Sequence, residues 1–404
     1  MKKKILFITT SNLSTNPRLL KEIKLALNNE IEPHFIGFNI GGWSSPMEKQ
    51  INNELNIKTT YLSALRKPFL PWFISSIIQI IFRKIYPVLP KIQFINIFGS
   101  DKRSILLIDF LRKINKSYDL IVAHNLGALY PAYFYSKKMK IPFAFDIEDF
   151  HPGEKVTVGN ENYEYQRRKF IMSKFIPFSS YVSYASPLIG QYSFSLLAKQ
   201  PERNILINNS FFNNEFEFCN IKNQKVQIVW FSQNIDLYRG LEKIIPLLFP
   251  YKDKLHITLI GNLYENFKTK VIDNYTDVIT HYPAMPQINL HKLLCSFDIG
   301  LALEQDSTDL NRQISLTNKI FAYTQAGLYI IATPTMAQSN YLKANSGFGA
   351  ILSENDIENI KKIEDIILNI DTIRAEKLIR FEKAKKLSFD EDSKKLINIW
   401  NYLN

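Results

Sequence analysis

Acidic side chains crowd into the segment DIEDFHPGE, which begins at Asp146. With it, Glu148, Asp149, His151 and Glu154 form a group of five titratable residues within nine positions. Such density is unfavourable unless some side chains pair, take up protons or meet a ligand. In an extended chain Glu148 and Asp149 face opposite ways, so one of them is expected in a binding crevice as a general base. The group is also compatible with a metal, but no matching ligand spacing recurs in the sequence and we expect none.

Two other segments of the first half place polar residues after apolar runs. In AHNLGALYPA, His124 follows a strand-like run and is suited to contacting a sugar or moving a proton, although a lone histidine is often structural. In SNLSTNPRLL, Asn16 predicts a helix N-cap and Pro17 fits the first helical position. Arg18 then lies in the first turn, where the helix dipole disfavours a cation unless an anion is bound there or a carboxylate lies beside it.

The segment VWFSQNIDLYRGLE predicts a strand, a loop and a helix start. Arg239 and Gly240 open the helix. The glycine lets a ligand approach the backbone, and an arginine can hold a phosphate through two bonds. Ser232 ends the predicted strand and Gln233 follows it, and both are expected to contact the same ligand.

The segment SLTNKIFAYTQAG predicts a short helix with a phosphate-binding start. Thr317 is expected as its N-cap, Asn318 as its first residue and Gly327 as the residue after its end. Lys319 and the free backbone amides of the first turn form an anion site. Because Arg239 would face this site from a neighbouring turn, the two cations together indicate a diphosphate.

Apolar, β-rich runs alternate with helical patterns along the chain. The strand candidates of the first half are KILFITT, PHFIGFNI, DLIVAHN, PFAFDIE, SYVSYAS and NILINNS. Those after about residue 220 are VQIVWFS, HITLIGN, VITHYPA, IGLALE and YIIAT. Alternation of this kind predicts two doubly wound, Rossmann-like α/β domains with parallel sheets that face a ligand cleft. Neither GxGxxG nor GxxxxGK occurs, so no dinucleotide or P-loop site is predicted.

Taken in order, these segments resemble the GT-B glycosyltransferases, in particular the family-4-like bacterial group. The resemblance is carried by NPRLLKEIKLAL, DLIVAHNLGALYPA, DIEDFHPGE, FSQNIDLYRGLEKII, LTNKIFAYTQAGLYIIAT and the closing LSFDEDSKKLINIWNYL. It spans nearly the whole chain, although residues 60–105 match little. It implies an acceptor-binding Rossmann-like domain at residues 1–210, completed by a crossing helix at 388–404, and a donor-binding one at residues 211–387.

The resemblance also implies a reaction. A sugar would be transferred from a nucleotide-diphosphate-sugar by a metal-independent, hexosyltransferase-like enzyme without a cofactor, and retention of configuration is favoured. On that basis His124 would contact the donor sugar, and Glu148 or Asp149 would orient or deprotonate the acceptor. Arg239 and Lys319 would neutralise the leaving diphosphate.

One departure from that group concerns the donor ribose. Many of its members carry two glutamates eight positions apart, where this chain has Ile314 and Ala322. Neither side chain can accept a ribose hydrogen bond, which is worth about 1–3 kcal/mol in a desolvated site. Glu304, at the end of IGLALE, is expected to make that contact instead. The alternative is a catalytically inactive GT-B-like protein that binds a nucleotide sugar or serves as a scaffold.

The composition indicates which kinds of partner the protein binds. The chain has 404 residues, which suits two domains, and a net charge of +12. Residues 1–200 hold 27 Lys and Arg against 14 Asp and Glu, which predicts an anionic partner such as a membrane surface, a phospholipid or a nucleic acid. No recognition module supports the nucleic acid, and we expect none to bind. Cys219 and Cys295 lie far apart in the sequence, without disulfide or zinc spacing, which fits a reducing compartment.

The segment from Pro68 to Phe98 is apolar and aromatic with scattered bases. Its longest uncharged run is too short to span a bilayer. Trp72 and Phe73, with Arg83 and Lys84, are expected to form an interfacial membrane surface; the alternative is a buried helix pair. No secretory signal is visible. The sequence therefore predicts a cytoplasmic protein, peripheral on the inner face of the cytoplasmic membrane, that acts on a lipid-linked or cell-surface polysaccharide or lipopolysaccharide acceptor.

Overall fold

The chain forms two compact units, each with its own contacts. A computed structural model describes residues 2–42, 44–156, 161–220, 223–304 and 309–403. Unit 1 comprises Met1–Ile207 and Ser393–Asn404, and unit 2 comprises Asn208–Asp392.

Each unit is built on one parallel sheet. The strands of unit 1 are β1 (Lys4–Thr9), β2 (Glu32–Asn39), β3 (Lys58–Ser63), β4 (Leu120–His124), β5 (Phe143–Ile147), β6 (Tyr181–Tyr184) and β7 (Asn204–Leu206). Those of unit 2 are β8 (Val226–Ile235), β9 (Leu255–Leu263), β10 (Ile279–Tyr282), β11 (Ile299–Ala302), β12 (Tyr329–Ala332) and β13 (Gly349–Ile351). The spatial orders are β3-β2-β1-β4-β5-β6-β7 and β10-β9-β8-β11-β12-β13. All these pairings are parallel.

Helices connect the strands. In unit 1 they are α1 (Pro17–Asn28), α2 (Ser44–Leu55), α3 (Phe69–Ile85), α4 (Gln93–Ser100), α5 (Arg103–Lys113), α6 (Leu126–Met139), α7 (Glu161–Phe175) and α8 (Pro187–Ser195). Those that follow are α9 (Leu241–Leu248), α10 (Glu265–Lys270), α11 (Gln287–Leu294), α12 (Leu310–Ile314), α13 (Asn318–Gln325), α14 (Met336–Ala344), α15 (Asp356–Leu368), α16 (Ile370–Ala375), α17 (Lys377–Ala384) and α18 (Phe389–Tyr402).

The strand orders explain where polar residues gather. Strands β4 and β5 are buried along their whole length because helices cover both faces of the sheet. In both orders the direction of the connections reverses at one point, between β1 and β4 in unit 1 and between β8 and β11 in unit 2. Ligands of doubly wound sheets bind at the carboxyl ends of the strands beside such a point. The predicted doubly wound fold is confirmed, and the predicted site residues follow these strands.

Strand β8 continues beyond its predicted end. The predicted strand ended at Ser232, but Gln233 also lies within β8, where the register against β9 shifts between Phe231 and Asn234. The bulge brings the Ser232 carbonyl against Gly261, where an added Cβ would lie 2.1 Å from that oxygen. A glycine is therefore required at 261, and the bulge re-aims the end of the strand.

The segment that matched the resembled group least forms the helices α3 and α4. The alternative prediction of a buried pair is wrong for α3, which buries only Ser75, whereas α4 buries Ile95, Asn96, Ile97 and Gly99. Large apolar side chains of α3 are exposed along one stripe: Phe69, Leu70, Phe73, Ile74, Ile77, Ile80, Ile81 and Ile85. Residues beyond α3 extend this apolar surface, with Val88 at 78% exposure. We call the stripe on α3 the outer face. Among the described residues no helix is both long and apolar enough to cross a bilayer.

The two cysteines are neighbours in space despite their separation in sequence. Both thiols are free. The segment before Cys219 runs along α11, with Glu217 pairing Lys292 at 3.1 Å. Burial, followed by a hydrogen bond with the Cys219 thiol, raises the pKa of Cys295 to about 12. Sequence spacing alone could not reveal this contact because three strands, β8, β9 and β10, come between the two cysteines along the chain.

Candidate functional site

Unit 1 contains a buried network of four charged side chains at the carboxyl ends of β1, β4 and β5. Arg18 donates to both oxygens of Asp146, at 2.8 Å from Nε and 2.6 Å from Nη2. His124 lies between two carboxylates, with Nδ1 3.4 Å from Asp146 and Nε2 3.5 Å from Glu22. Two cations therefore balance two carboxylates away from water, which is the condition under which buried charges are tolerated.

The network fixes its protonation states. Burial opposes the charged ring, but Glu22 and Asp146 outweigh it and raise the pKa of His124 to about 10. Burial likewise opposes the Asp146 carboxylate, but Arg18 and His124 hold its pKa well below the ordinary value. His124 is thus an imidazolium near neutral pH, with no exposed surface.

These positions change the expected roles of two residues. Arg18 was expected to meet either a bound anion or a neighbouring carboxylate, and the structure shows the second: its partners are Asp146 and the carbonyl of Ile207, the latter at 2.7 Å. An internal carboxylate therefore supplies the negative charge that its place in the first turn of α1 requires. His124 was expected to contact the donor sugar, which its complete burial between Glu22 and Asp146 prevents in this arrangement. Asn16 is the expected N-cap, its side chain accepting from the Leu19 amide at 3.0 Å.

The environment distinguishes the two carboxylates that follow β5. Glu148 interacts with Arg18, Asp146 and His124, so it lies on the side of the buried network. Burial and then the negative charge of Asp149 raise the pKa of Glu148 to about 7. Asp149 also acts on His151, on the other side. A half-buried carboxyl that titrates near neutral pH suits general acid–base work, which favours Glu148 over Asp149 as the catalytic group.

Glu22, His124 and Asp146 also have the geometry of a metal-binding group, since one ligand atom from each lies within 4.8 Å of the others. The bidentate ion pair with Arg18 already engages both Asp146 oxygens. A divalent cation at this point would face two cationic side chains. The residues therefore fit an ion-pair network better than a metal centre.

Unit 2 brings cations together beside the switch point of its sheet. Lys319 lies at the second position of α13, as predicted, with Nζ 5.1 Å from the centre of the Trp230 ring. Burial lowers the pKa of Lys319, Glu304 opposes that effect, and Arg239 and Arg312 add to it. Among the described residues, Lys319 and Arg239 have no carboxylate within ion-pairing distance. This is the electrostatic state of an anion site.

The start of α13 differs from the prediction in one detail. Thr317 takes the N-cap position with extended backbone, but its side chain makes no capping hydrogen bond. Gly327 follows the helix in the left-handed region, with φ +71°, as expected of a residue after a helix end. Ile314 and Ala322, the positions of the missing glutamates, are fully buried. A ribose contact therefore has to come from another element.

A cavity of about 540 Å³ lies at the carboxyl ends of β11, β12 and β13, beside the start of α9. Its wall includes Gly240 and Glu304, two of the predicted ligand-binding residues. Gly240 has φ +85°, and an added Cβ would lie 3.0 Å from Leu303, so both conformation and space require glycine there. The remaining wall is rich in hydrogen-bond acceptors, including Glu242, Glu354 and Asp356.

Several residues of this site were not predicted from the sequence. Arg312 is the middle residue of the five-residue helix α12, which is too short to show a periodic pattern; the local sign of this helix is its N-cap, Asp309. The cavity residues Ser353, Glu354 and Asp356 follow β13, a strand of three residues that was not predicted either.

Comparison with known proteins identifies the architecture. No known family profile matches the chain, and no curated protein sequence matches it. The structure of Anabaena HepE in complex with UDP is similar, with 13% identity, a TM-score of 0.65 and full coverage of both chains. Sucrose-phosphate synthase from Thermosynechococcus elongatus gives 11% identity and a TM-score of 0.66 over 100% of this chain and 99% of that one.

A third similar structure has a different activity. UDP-N-acetylglucosamine 2-epimerase matches at 11% identity with a TM-score of 0.55, covering 98% of this chain and 95% of that one. At such identities the likeness shows the fold alone. The chain therefore has the GT-B architecture, as predicted, whereas its membership of the family-4-like group stays a prediction.

Proposed function

We propose that the protein is a glycosyltransferase that takes a sugar from a nucleotide-diphosphate-sugar bound by unit 2. The observation that carries this proposal is a cluster of cations beside a cavity: the charges of Arg239 and Arg312 both act on Lys319, and the neighbouring cavity at Glu304 is lined by hydrogen-bond acceptors. A nucleotide sugar requires both features, because its diphosphate needs cations and its ribose and sugar hydroxyls need acceptors.

The diphosphate would lie at the start of α13. The backbone amides of Asn318 and Lys319 lie in the first turn of α13, where no earlier helical carbonyl can accept their hydrogen bonds. The start of the helix also carries the positive end of its dipole. Arg239 and Lys319 would stabilise the negative charge that develops on the leaving diphosphate. Thr317, Ser232 and Gln233 are proposed as further donor contacts.

Glu304 would accept the ribose hydroxyls. It closes β11, its backbone amide donates to Thr333 Oγ1 at 2.9 Å, and its charge acts on Lys319. The side chain therefore lies between the cations and the cavity. Because HepE was solved with UDP and with UDP-glucose, a uridine nucleotide is the first donor to test.

Unit 1 would bind the acceptor and supply the base. Glu148, with a pKa of about 7, would accept the proton of the acceptor hydroxyl, while Asp149 orients the acceptor. His124 is proposed as a positioning residue that holds the charge network beside Glu148. We propose a hexose transfer with retention and without metal, since cationic side chains take the electrostatic role at the diphosphate.

The acceptor is proposed to be lipid-linked or part of a cell-surface polysaccharide or lipopolysaccharide. Unit 1 would lie against the inner face of the cytoplasmic membrane through the outer face of α3. Exposed apolar stripes next to basic residues are typical of interfacial helices. Phe73 at 41% exposure and the exposed Lys84 belong to this surface. The Trp72 ring is half-buried, with the Arg66 guanidinium 5.4 Å and the Lys102 ammonium 5.0 Å from its centre, and the exposed Arg83 bonds the carbonyl of Gly99 in α4.

The donor proposal is tested by thermal unfolding with UDP-, GDP-, dTDP-, ADP- and CMP-sugars. A donor present at about a hundred times its dissociation constant stabilises the protein by about 2.7 kcal/mol. Transfer is then measured with the stabilising donor, labelled in its sugar, and a bacterial lipid extract. Arg239→Ala should lose both stabilisation and transfer, whereas Lys343→Ala, an exposed charge on α14, should keep both.

The membrane proposal is tested with vesicles of anionic phospholipid. Ile80→Glu should abolish sedimentation with the vesicles because it places a charge in the outer face, where Ile80 is 54% exposed. Ile357→Glu is the matched control, since Ile357 is 65% exposed on α15. Equal sedimentation of the two variants would show that the outer face does not contact the lipid.

A second candidate is a GT-B protein that binds a nucleotide sugar without turning it over. It is favoured by one observation, the burial of apolar Ile314 and Ala322 where the resembled group has glutamates. This candidate predicts stabilisation by a nucleotide sugar with neither hydrolysis nor transfer, in wild type and in Glu148→Gln alike. Turnover that depends on Glu148 would exclude it.

A further inference from the structure

A second cavity, of about 440 Å³, lies within unit 1. One wall comes from residues that follow β1, β4 and β5, namely Thr10, Asn125 and His151. The opposite wall comes from α3 and the start of α5, with Gln79, Arg83 and Lys102. The cavity therefore joins the carboxyl end of the sheet, where Glu148 lies, to the inner side of the helix whose outer face is apolar.

Positive charge is in excess on the cavity wall. The carboxylates are engaged with cations: Glu154 pairs Arg168 at 2.7 Å, Glu164 pairs Arg168 at 3.2 Å, and Asp101 pairs Arg103 at 3.7 Å. Two cations remain on the wall, Lys102 and Arg83. Lys102 donates to the Ser76 hydroxyl at 3.0 Å, and Arg83 donates to the carbonyls of Gly99 and Ser100. Within the described part of the chain, neither cation meets a carboxylate at ion-pairing distance.

Two further groups on the wall are suited to an anion. His151 is 7% exposed and bonds Glu154 through Nδ1 at 2.9 Å, while its buried Nε2 has no hydrogen-bond partner among the described residues. The fourteen-residue helix α6 begins at the cavity, and the side chain of its N-cap, Asn125, makes no capping bond. The Asp101 carboxylate lies beside Gly127 in the first turn of α6, so a bound anion would rely on the unpartnered imidazole nitrogen and the two cations, which together favour a phosphate.

The position of the cavity favours a phosphate that carries a hydrocarbon chain. Gln79 and Arg83 line the cavity on one side of α3, while Ile77, Ile80 and Ile81 are exposed on the outer face of the same turns. A molecule with an apolar chain against that face and an anionic head in the cavity would bury both. We propose that this cavity binds the phosphate head of a membrane-borne lipid phosphate and so presents the acceptor near Glu148. This inference rests on the proposed glycosyltransferase function and names its acceptor class.

The test uses farnesyl phosphate as the probe. Farnesol serves as a probe of the hydrocarbon tail alone, and inorganic phosphate as a probe of the head alone. Isothermal titration of the full-length protein is expected to give farnesyl phosphate an affinity at least about tenfold above that of either part. Lys102→Gln and Arg83→Gln should each weaken its binding by about tenfold, while Lys113→Gln, an exposed charge on α5, should leave it unchanged. Each variant is first shown to be folded by its thermal unfolding curve.

Three outcomes would overturn the proposal. Farnesol binding as tightly as farnesyl phosphate would show an apolar site without phosphate recognition. Inorganic phosphate binding as tightly would show a site for free phosphate. Farnesyl phosphate bound equally by wild type and both variants would place the lipid elsewhere. UDP is titrated in parallel as a probe of unit 2. If wild type binds farnesyl phosphate but not UDP, the proposed donor site is contradicted while the proposed lipid site is supported.

Discussion

Replacing Lys319 by glutamine gives two opposite effects if the start of α13 is a diphosphate site. Without ligand, Lys319 has no ion-pair partner among the described residues, and burial together with Arg239 and Arg312 lowers its pKa. Its charge is therefore unfavourable in the free protein. Lys319→Gln should leave the melting temperature of the free protein unchanged or raise it, since it removes a repelled cation and keeps most of the length of the side chain.

The ligand reverses that balance. A hydrogen bond to a charged group contributes about 1.5–3 kcal/mol, and the diphosphate oxygens would accept one from Lys319 at the positive end of α13. Its loss corresponds to a decrease in UDP affinity of about ten- to a hundredfold. The contact between Lys319 and the Trp230 ring predicts in addition that UDP changes the tryptophan fluorescence of wild type more than that of the variant.

The assay is isothermal titration of UDP, with thermal unfolding of the free proteins alongside. Lys343→Gln removes an exposed charge from the same unit and serves as the control, with unchanged affinity expected. If Lys319→Gln binds UDP as wild type does, the diphosphate lies elsewhere. If the free variant melts well below wild type, Lys319 is a structural residue and the reasoning from its unpaired charge is wrong.

Four further predictions concern single residues. Glu304→Ala should weaken UDP binding by about ten- to a hundredfold in titration, through loss of the ribose acceptor, and unchanged affinity would rule this contact out. Glu148→Gln should lower kcat by about 10²–10⁴-fold and remove a rise in rate near pH 7 that wild type should show, while UDP affinity stays the same; a retained inflection would exclude Glu148 as the base. The raised pKa of His124 makes its stabilising effect complete below about pH 6.5 and lost as the pH rises to about 10, so urea unfolding should show wild type losing more stability over this range than His124→Gln; parallel pH curves would contradict the charged network. Cys295 should resist iodoacetamide near pH 8 in the native protein, because a pKa of about 12 leaves very little thiolate, and mass spectrometry that finds it alkylated as fast as in urea would disprove the buried thiol contact.

Local signals predicted the parts of the structure that depend on near neighbours in sequence. The apolar runs of β1, β4 and β5 predicted buried parallel strands, and the caps Asn16 and Gly327 marked helix ends correctly. Alternation of these elements was enough for the doubly wound fold. The edge strands β3 and β13 were not predicted because one is only half-buried and the other has three residues, so neither shows a periodic apolar pattern.

Pairings between distant residues could not be predicted. The first-turn cation Arg18 indicated an anion, and the sequence could not show that Asp146, far along the chain, supplies it. His124 was predicted to be functional from its place at the end of a strand, but its surroundings include Glu22, which lies on the distant helix α1. Trp72 was predicted to lie at the membrane because its own segment is apolar. The sequence could not show that two cations from outside that helix, Arg66 and Lys102, lie over the Trp72 ring.

The proposed function depends above all on the binding of a nucleotide-diphosphate-sugar donor by unit 2. The decisive assay incubates the protein with extracted bacterial lipid and a nucleotide sugar labelled in its sugar, first UDP-glucose and then the others. With one of these donors, label should move into the organic phase and free nucleoside diphosphate should appear in equal amount, and Arg239→Ala should abolish both. A chain that is folded, yet neither binds nor turns over any nucleotide sugar, would contradict the proposed function.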